Sequence, residues 1–323
     1  MSARTTIGRR IAGRLARFGM ALALAAGLFA GVNLGAAQPA SALQQCPIPG
    51  QQPPVAGIEY WIEQYYDRGV TVCWGMDTAS GLPELAAVMQ IVDLADGARV
   101  LLRADPECPC GIGSADQTFR KHTAEEWWNT WGYFSATNAS FFTDATNPTT
   151  KLSLPEVTSG KIHSYGTALN GGPDATFPKV SLRIGGLDQA FQSVRLTNVP
   201  AAYTTANIDS HFGCGNTSGT NCSTIFGLVG FAPDANVTGP GPKRRTMLGT
   251  NAGSGVQASR VYILATVQSY ELSEARAIMD YFGSQMEMQL DGGGSTQSIS
   301  NYHQIDSYIF RPVPNALFVS SGP

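Results

Sequence analysis

Beyond residue 85 the chain alternates short apolar runs with turn residues, a rhythm that predicts many brief strands and few helices. The runs 89–94 and 99–103 are β-prone and flank Asp96-Gly97, a dipeptide suited to the positive φ of a tight turn, so a hairpin is expected there. Other strand-like runs are 133–137, 179–184, 224–231, 260–268, 286–290 and 316–319. Two helices interrupt them. Thr123 and Glu126 have capping-box spacing, and Trp127, Trp128 and Trp131 give the helix that follows a bulky face expected to pack on the core. A second helix, over about 273–282, is expected to be capped by Ser273. Its Ala275, Ile278, Met279 and Phe282 recur at helical spacing, and Gly283 suits the position after its end.

Strand 260–268, this helix and strand 286–290 read as a βαβ unit. The residues after its second strand then lie at a strand's carboxyl end, where α/β folds place ligands. The expected fold class is α+β, with mixed β-sheets and a few helices. One domain is expected over 86–323, behind an extended arm at 43–85 that opens Pro/Gln-rich, with 186–240 as an elaboration of the domain.

Composition narrows the class. Only 14% of residues are charged, against 36 Gly and 19 Pro, which excludes a coiled coil or helical bundle. A net charge of −3 supplies no cationic field for phosphate backbones, so no nucleic-acid partner is expected. The charges are also uneven. Residues 1–42 hold Arg4, Arg9, Arg10, Arg14 and Arg17 and no acid, then an apolar run of 14 residues at 19–32 and Ala40-Ser41-Ala42. That run is shorter than the ~20 residues of a membrane span, and small residues suit a cleavage site. A secretory signal is therefore expected at 1–42, with the mature protein secreted or associated with the cell envelope and holding no stable membrane anchor. Taking its five arginines from 21 basic side chains, against 24 acidic, leaves a net charge of −8. Cys46, Cys73, Cys108, Cys110, Cys214 and Cys222 all lie beyond it, an even set that predicts up to three disulfides, with Cys214–Cys222 the easiest local pair. The spacings lack the CxxC pairs and neighbouring histidines of a zinc site.

After the second strand of the βαβ unit comes Asp291-Gly292-Gly293-Gly294-Ser295-Thr296. Consecutive glycines let backbone approach a ligand closely and turn N–H groups inward as an anion-binding nest. No lysine follows them and the spacing is not GxGxxG, which disfavours a nucleotide loop. His122, His163, His211 and His303 are scattered, and His303 follows the loop closely enough to serve as its acid or base. Glu125 and Glu126 belong to the helix cap, and a second carboxylate stays open among Asp144, Glu287 and Asp306.

The string 290–296 resembles a motif of the phosphodiester glycosidase family, and three other segments agree in order. Thr137-Asn138-Ala139-Ser140-Phe141-Phe142 is similar to the family's NAGFF motif and Arg245-Thr246-Met247-Leu248-Gly249 to its RTAIG strand. Arg311-Pro312-Val313-Pro314-Asn315-Ala316-Leu317 is similar to its closing R-x-V-x-N-A-L. Together they span about 86–320. Ser140 stands where the family has glycine, and 148–172 does not clearly reproduce its G-x-P-x-G segment.

The resemblance implies hydrolysis of a sugar 1-phosphodiester, between the anomeric carbon and the phosphate oxygen, in a phosphate-linked cell-envelope or extracellular glycan. Asp291, Arg245 and Asn138 are the implied catalytic residues. Asp291 would face the positive charge growing at the sugar, Arg245 would grip phosphate and Asn138 would orient a hydroxyl or phosphate oxygen. Gly292, Gly293, Gly294, Ser295, Thr296, Arg311 and His303 form the implied substrate- and phosphate-binding set. No cofactor is certain. A divalent cation near Asp291 suits the chemistry, but no ligand cluster for one stands in the sequence. The alternative is a non-catalytic envelope- or polysaccharide-binding module of the same fold. A neutral-glycan hydrolase leaves the two arginines without a role.

Overall fold

The computed structural model describes residues 46, 53–55, 57–107, 117–169, 173–186, 192–215, 219–237, 239–305 and 311–322. The expected signal segment 1–42, Cys108, Cys110 and Asp306 lie outside them. In chain order come β1 (Tyr60–Asp67), β2 (Val70–Asp77), β3 (Glu84–Asp93), β4 (Arg99–Ala104), β5 (Thr118–Arg120), α1 (Ala124–Trp131), β6 (Ser135–Asn138), β7 (Thr149–Lys151), β8 (Glu156–Thr158) and β9 (Lys161–Ser164). There follow β10 (Lys179–Gly185), β11 (Ser193–Val199), α2 (Thr205–Phe212), β12 (Phe226–Phe231), β13 (Thr246–Thr250), β14 (Arg260–Thr266), α3 (Leu272–Tyr281), β15 (Met286–Gln289), β16 (Ser298–Ser300), β17 (Gln304–Ile305) and β18 (Asn315–Ser320). The described protein is mostly β-sheet with three helices.

The larger sheet runs β1-β2-β3-β14-β13-β15-β12-β10-β11, with β8 paired to β12 and β9 to β8. The second runs β17-β16-β6-β18-β4. Every pairing of these strands is antiparallel, which corrects the expected mixed sheets. β14 and β15 do run the same way, but β13 lies between them and pairs antiparallel with both. A crossover helix fixes the relative direction of its two strands and leaves their adjacency open.

The hairpin across Asp96-Gly97 is also corrected. The turn exists, with Gly97 at φ +84° and its N–H donating to the Leu94 carbonyl at 3.3 Å. Yet β3 pairs with β2 and β14 in the larger sheet, whereas β4 pairs with β18 in the second. Turn residues reverse the chain without choosing its partner, and here they carry it from one sheet to the other.

That switch builds a layered core. In β3, Val92 packs with Val100, Leu102, Leu317 and Phe318 between the sheets, while Met89 and Ile91 face Tyr262, Ile278, Met279 and Phe282 on the side covered by α3. Burial on both faces explains why β3 reads as a nearly unbroken apolar run.

The helix caps follow local chemistry. Thr123 Oγ1 accepts from Glu126 N at 3.1 Å and Glu126 Oε2 accepts from Thr123 N at 2.8 Å. Trp127 is buried, but Trp131 is 43% exposed with the Arg103 guanidinium 4.5 Å above its ring, so only part of the expected tryptophan face packs inward. α3 begins before Ser273: its cap is Glu271, whose N–H donates to Glu274 Oε2 at 2.8 Å.

The segment expected as an extended arm contains β1 and β2, and a disulfide ties Cys46 to Cys73 of β2. Cys214–Cys222 is a second disulfide among the described residues, and β11 and β12, from the expected elaboration, are strands of the larger sheet. Opening the Cys46–Cys73 loop of 27 residues is expected to destabilise the fold by about 3–4 kcal/mol. Thermal unfolding of Cys46→Ala/Cys73→Ala checks this, and an unchanged midpoint contradicts it. No helix among the described residues is long and apolar enough to cross a membrane.

Candidate active site

β6 and β15 end where β13 and β18 begin, so the two sheets deliver four chain segments to one place. Asn138, at the end of β6, is fully buried and is the hub. Its Nδ2 donates to the Asp291 carbonyl at 2.5 Å, and its Oδ1 accepts from Thr246 Oγ1 at 3.0 Å and Gln297 N at 2.9 Å. Asp291 N donates to the Ala139 carbonyl at 2.9 Å, which fixes the acid against the end of β6. Asn138 therefore holds Asp291 in place, with its amide committed inside the protein.

The Asp291 carboxyl is half-buried. Loss of water pushes it up to about 6, while hydrogen bonds from Ser295 and the Gly292 N–H and the nearby Arg311 favour its charged form. Arg311 Nη1 reaches Ser295 Oγ at 3.4 Å. Arg245 is placed differently. It is 7% exposed, its Nε donates to the Tyr270 carbonyl at 3.2 Å and its Nη2 reaches the Gly241 carbonyl at 3.5 Å. Burial lowers its pKa, offset by the charge of Glu271. Arg311 is thus the arginine brought to Asp291.

The glycine segment makes a tight 3₁₀ turn over Gly293–Ser295, with Gly293 at φ +59°. A Cβ on Gly292 would lie 2.9 Å from the Arg244 carbonyl, so glycine is required for that approach. Gly293 N donates to the same carbonyl at 2.8 Å, and Ser295 N and Thr296 N donate to Gly292 O and Gly293 O at 3.1 and 3.3 Å. These three donors close the turn and seat it on Arg244. Beside Gly293 and Gly294 opens a cavity of ≈560 Å³, walled by 242–244 and 267–269, and a void of ≈50 Å³ adjoins it at Arg245 and Gly292.

His303 is not brought to Asp291. It is buried between Ser298 Oγ, 2.8 Å from Nε2, and Ser300 Oγ, 2.9 Å from Nδ1, and burial pushes it down to about 3, so it is neutral. Gln90 extends this cluster, donating to Ser298 Oγ at 3.2 Å and Thr137 Oγ1 at 3.3 Å. Of the carboxylates left open, Asp144 and Glu287 are elsewhere too, and Asp306 lies outside the described residues. Asp144 caps its own exposed turn through Thr146 and Asn147, whose bonds hold it well below the usual range. Glu287 lies 3.7 Å from Arg276 and is pushed up to about 7, chiefly by burial and also by Asp280.

Sequence reading missed Glu156. It is fully buried, and its Oε2 accepts from Asn315 Nδ2 and, at 3.5 Å, from Ser140 Oγ. Asn315 Oδ1 accepts from Ser140 N at 2.9 Å, so these residues lock the start of β18 to the chain after β6. Burial pushes Glu156 up to about 8 and keeps it protonated near neutrality. The available signal was one acid in the otherwise apolar Leu154-Pro155-Glu156-Val157. Among the described residues no group of three or more His, Cys, Asp or Glu is placed to hold a metal ion.

No family model matches the chain, and no curated protein matches it in sequence. Among solved structures it is similar to the catalytic domain of zebrafish N-acetylglucosamine-1-phosphodiester alpha-N-acetylglucosaminidase, auto-inhibited by its pro-peptide. Identity there is 12% and the TM-score 0.47, over 80% of this chain and 88% of that one. A hypothetical protein from Synechocystis is 10% identical with a TM-score of 0.44, and the match covers 80% of this chain but spans only 63% of that protein. A Burkholderia pseudomallei protein described as exported is 12% identical with a TM-score of 0.43, over 74% of this chain and 75% of that one. Likeness at this level assigns neither a family, an activity nor a residue.

Proposed function

We propose that the chain is a secreted hydrolase that cleaves the glycosidic bond of a sugar 1-phosphodiester. One observation carries this reading: the four segments that resemble phosphodiester glycosidase motifs converge on one hydrogen-bonded cluster around Asp291. Asn138 and Thr246 bring the first two together, Asn138 holds the third through the Asp291 carbonyl, and Arg311 and Asn315 of the fourth reach Ser295 and Ser140.

In this mechanism the bond between the anomeric carbon and the phosphate oxygen breaks. The electron pair leaves with the phosphate, and water supplies a hydroxyl to the sugar and a proton to the solvent or the phosphate. Asp291 as a carboxylate stabilises the cationic sugar or attacks it directly, and Arg311 holds the departing phosphate bidentately. A phosphate monoester leaves as a stable anion, which lessens the need for a strong general acid. Asn138 positions Asp291, and Arg245 holds the 241–270 wall together.

Because the working form of Asp291 is charged, kcat/KM is expected to rise with pH along a limb centred near 6. Arg311→Gln removes a cation that favours the carboxylate, so the limb moves to higher pH as activity falls. A limb that stays in place contradicts the pairing of Arg311 with Asp291.

The second reading is a glycan-binding module without turnover. It is favoured by the commitment of the Asn138 amide and the Arg245 guanidinium to partners inside the protein. The experiment is sugar release by purified 43–323, produced under oxidising conditions, from a panel of sugar 1-phosphodiesters against neutral aryl glycosides. Release from phosphodiesters alone supports the hydrolase. Glycan binding with no release from any substrate supports the module.

A further inference from the structure

Glu156 is the buried acid that the proposed chemistry leaves unused, and its hydrogen bonds lead to the seat of Asp291. The peptide joining Ala139 to Ser140 is held on both sides. Its carbonyl accepts from Asp291 N and its N–H donates to Asn315 Oδ1, each at 2.9 Å. Asn315 Nδ2 in turn donates to Ser140 Oγ at 2.6 Å and to Glu156 Oε2. Ala139, Ser140, Glu156 and Asn315 are all buried, so no solvent replaces a bond lost between them.

This arrangement suits a neutral carboxyl. Oε2 takes the amide donor, while Oε1 is buried with no hydrogen-bond partner. Ser164 of β9 and Leu228 of β12 stand opposite Glu156. The charged or titratable side chains of the elements packed on β8 are Arg99 and Arg103 of β4, Lys161 and His163 of β9 and Asp144 in the segment after β6; β12 and β18 carry none. Arg99 lies at the end of β4 away from Asn315, Arg103 lies over Trp131, Lys161 is exposed, His163 bonds the Thr158 backbone and Asp144 caps its own turn. Burial sets the proton affinity of Glu156, against the bonds from Asn315 and Ser140.

An ionised Glu156 pulls on this arrangement. The Ser140 hydroxyl lies 3.5 Å from Oε2, whereas a hydroxyl bound to a carboxylate oxygen closes to about 2.5–2.7 Å. Drawing Ser140 in by roughly 1 Å shifts the 139–140 peptide and with it Asp291, and a displacement of that size costs on the order of 10²-fold in rate. We propose that Glu156 is a positioning residue for the hydrolysis: as a neutral acid it fixes Asp291 through Asn315 and the 139–140 peptide, and its ionisation moves Asp291 out of the reacting geometry. This rests on the phosphodiester glycosidase reading and adds an upper pH limit to it.

The test measures kcat and KM on one sugar 1-phosphodiester from about pH 5 to 10, for the wild type, Glu156→Gln and Ser140→Ala, at a temperature where circular dichroism shows each folded at every pH. In the wild type kcat is expected to fall roughly tenfold or more along a limb centred near 8, with KM little changed. Glu156→Gln keeps the rising limb of kcat/KM near 6 and loses the falling one. Ser140→Ala removes both the pull through the hydroxyl and a bond that favours the anion, so above pH 8 it retains more of its activity than the wild type does. Wild-type turnover that stays level above pH 8 overturns the proposal and leaves the hydrolase standing. A falling limb kept by Glu156→Gln overturns the assignment to Glu156, and one that appears in KM alone is repulsion of an anionic substrate and overturns the positioning role. A limb unchanged in Ser140→Ala overturns the route through Ser140. Absence of turnover at every pH overturns the hydrolase and the positioning role together.

Discussion

Asp291→Asn is expected to lower kcat/KM on a sugar 1-phosphodiester by roughly 10³-fold or more, the scale on which a charge acting mainly in the transition state is lost. The amide keeps the size of the side chain and its position at the end of β15, so the glycine turn stays seated on Arg244. Stability should move the other way. A carboxyl raised from 3.8 to about 6 is ionised at pH 7 against the preference of its surroundings, so the neutral amide should stabilise the fold by about 2 kcal/mol after allowance for partial exposure. Opposite changes in activity and stability mark a residue kept for chemistry. A variant that is less stable and retains turnover removes Asp291 from the mechanism.

Glu156→Gln is expected to give the largest change in stability and in its pH dependence. Glu156 is held at about 8 in the folded protein against an ordinary 4.5, so folding favours its protonated form. Below pH 4.5 both states are protonated and this group adds no penalty. Between pH 4.5 and 8 the unfolded chain loses its proton first, and the wild type is progressively destabilised relative to its acid form. Above pH 8 both states are ionised and the penalty levels off at about 4–5 kcal/mol. Glutamine imitates the neutral acid, keeps an oxygen for Asn315 Nδ2 and does not titrate. The stability difference between variant and wild type should therefore grow across that window, reaching roughly 10 °C in Tm on its alkaline side. Groups common to both proteins cancel in the comparison. A difference that is flat with pH shows that folding does not shift the Glu156 proton equilibrium and contradicts its burial as a neutral acid.

Local chemistry was legible in the sequence, and distant pairing was not. The Thr123–Glu126 cap, the Asp96-Gly97 turn and the Cys214–Cys222 pair each depend on residues within a few positions of one another. The destination of β4 depends on β18, more than two hundred residues away, so a correctly read turn still predicted the wrong hairpin. α3 was placed two residues late because its cap works through Glu274 reaching back to Glu271 N, not through a serine hydroxyl. At the site, motif order indicated Asp291 and Arg311, but roles within a motif depend on packing. Arg245 matches the motif and is turned into the protein, while the carbonyl of its neighbour Arg244 seats the glycine turn. His303 lies near the loop in sequence yet is held between serines of the second sheet. Glu156 was invisible because its meaning comes from Asn315, 159 residues on.

The most direct test is hydrolysis of a sugar 1-phosphodiester by the wild type in water carrying heavy oxygen, with both products analysed by mass. Asp291 acting at the anomeric carbon requires the heavy oxygen in the released sugar and none in the phosphate monoester. Label in the phosphate means that the phosphorus–oxygen bond is cut and contradicts the role given to Asp291. Release of neither product contradicts the hydrolase itself.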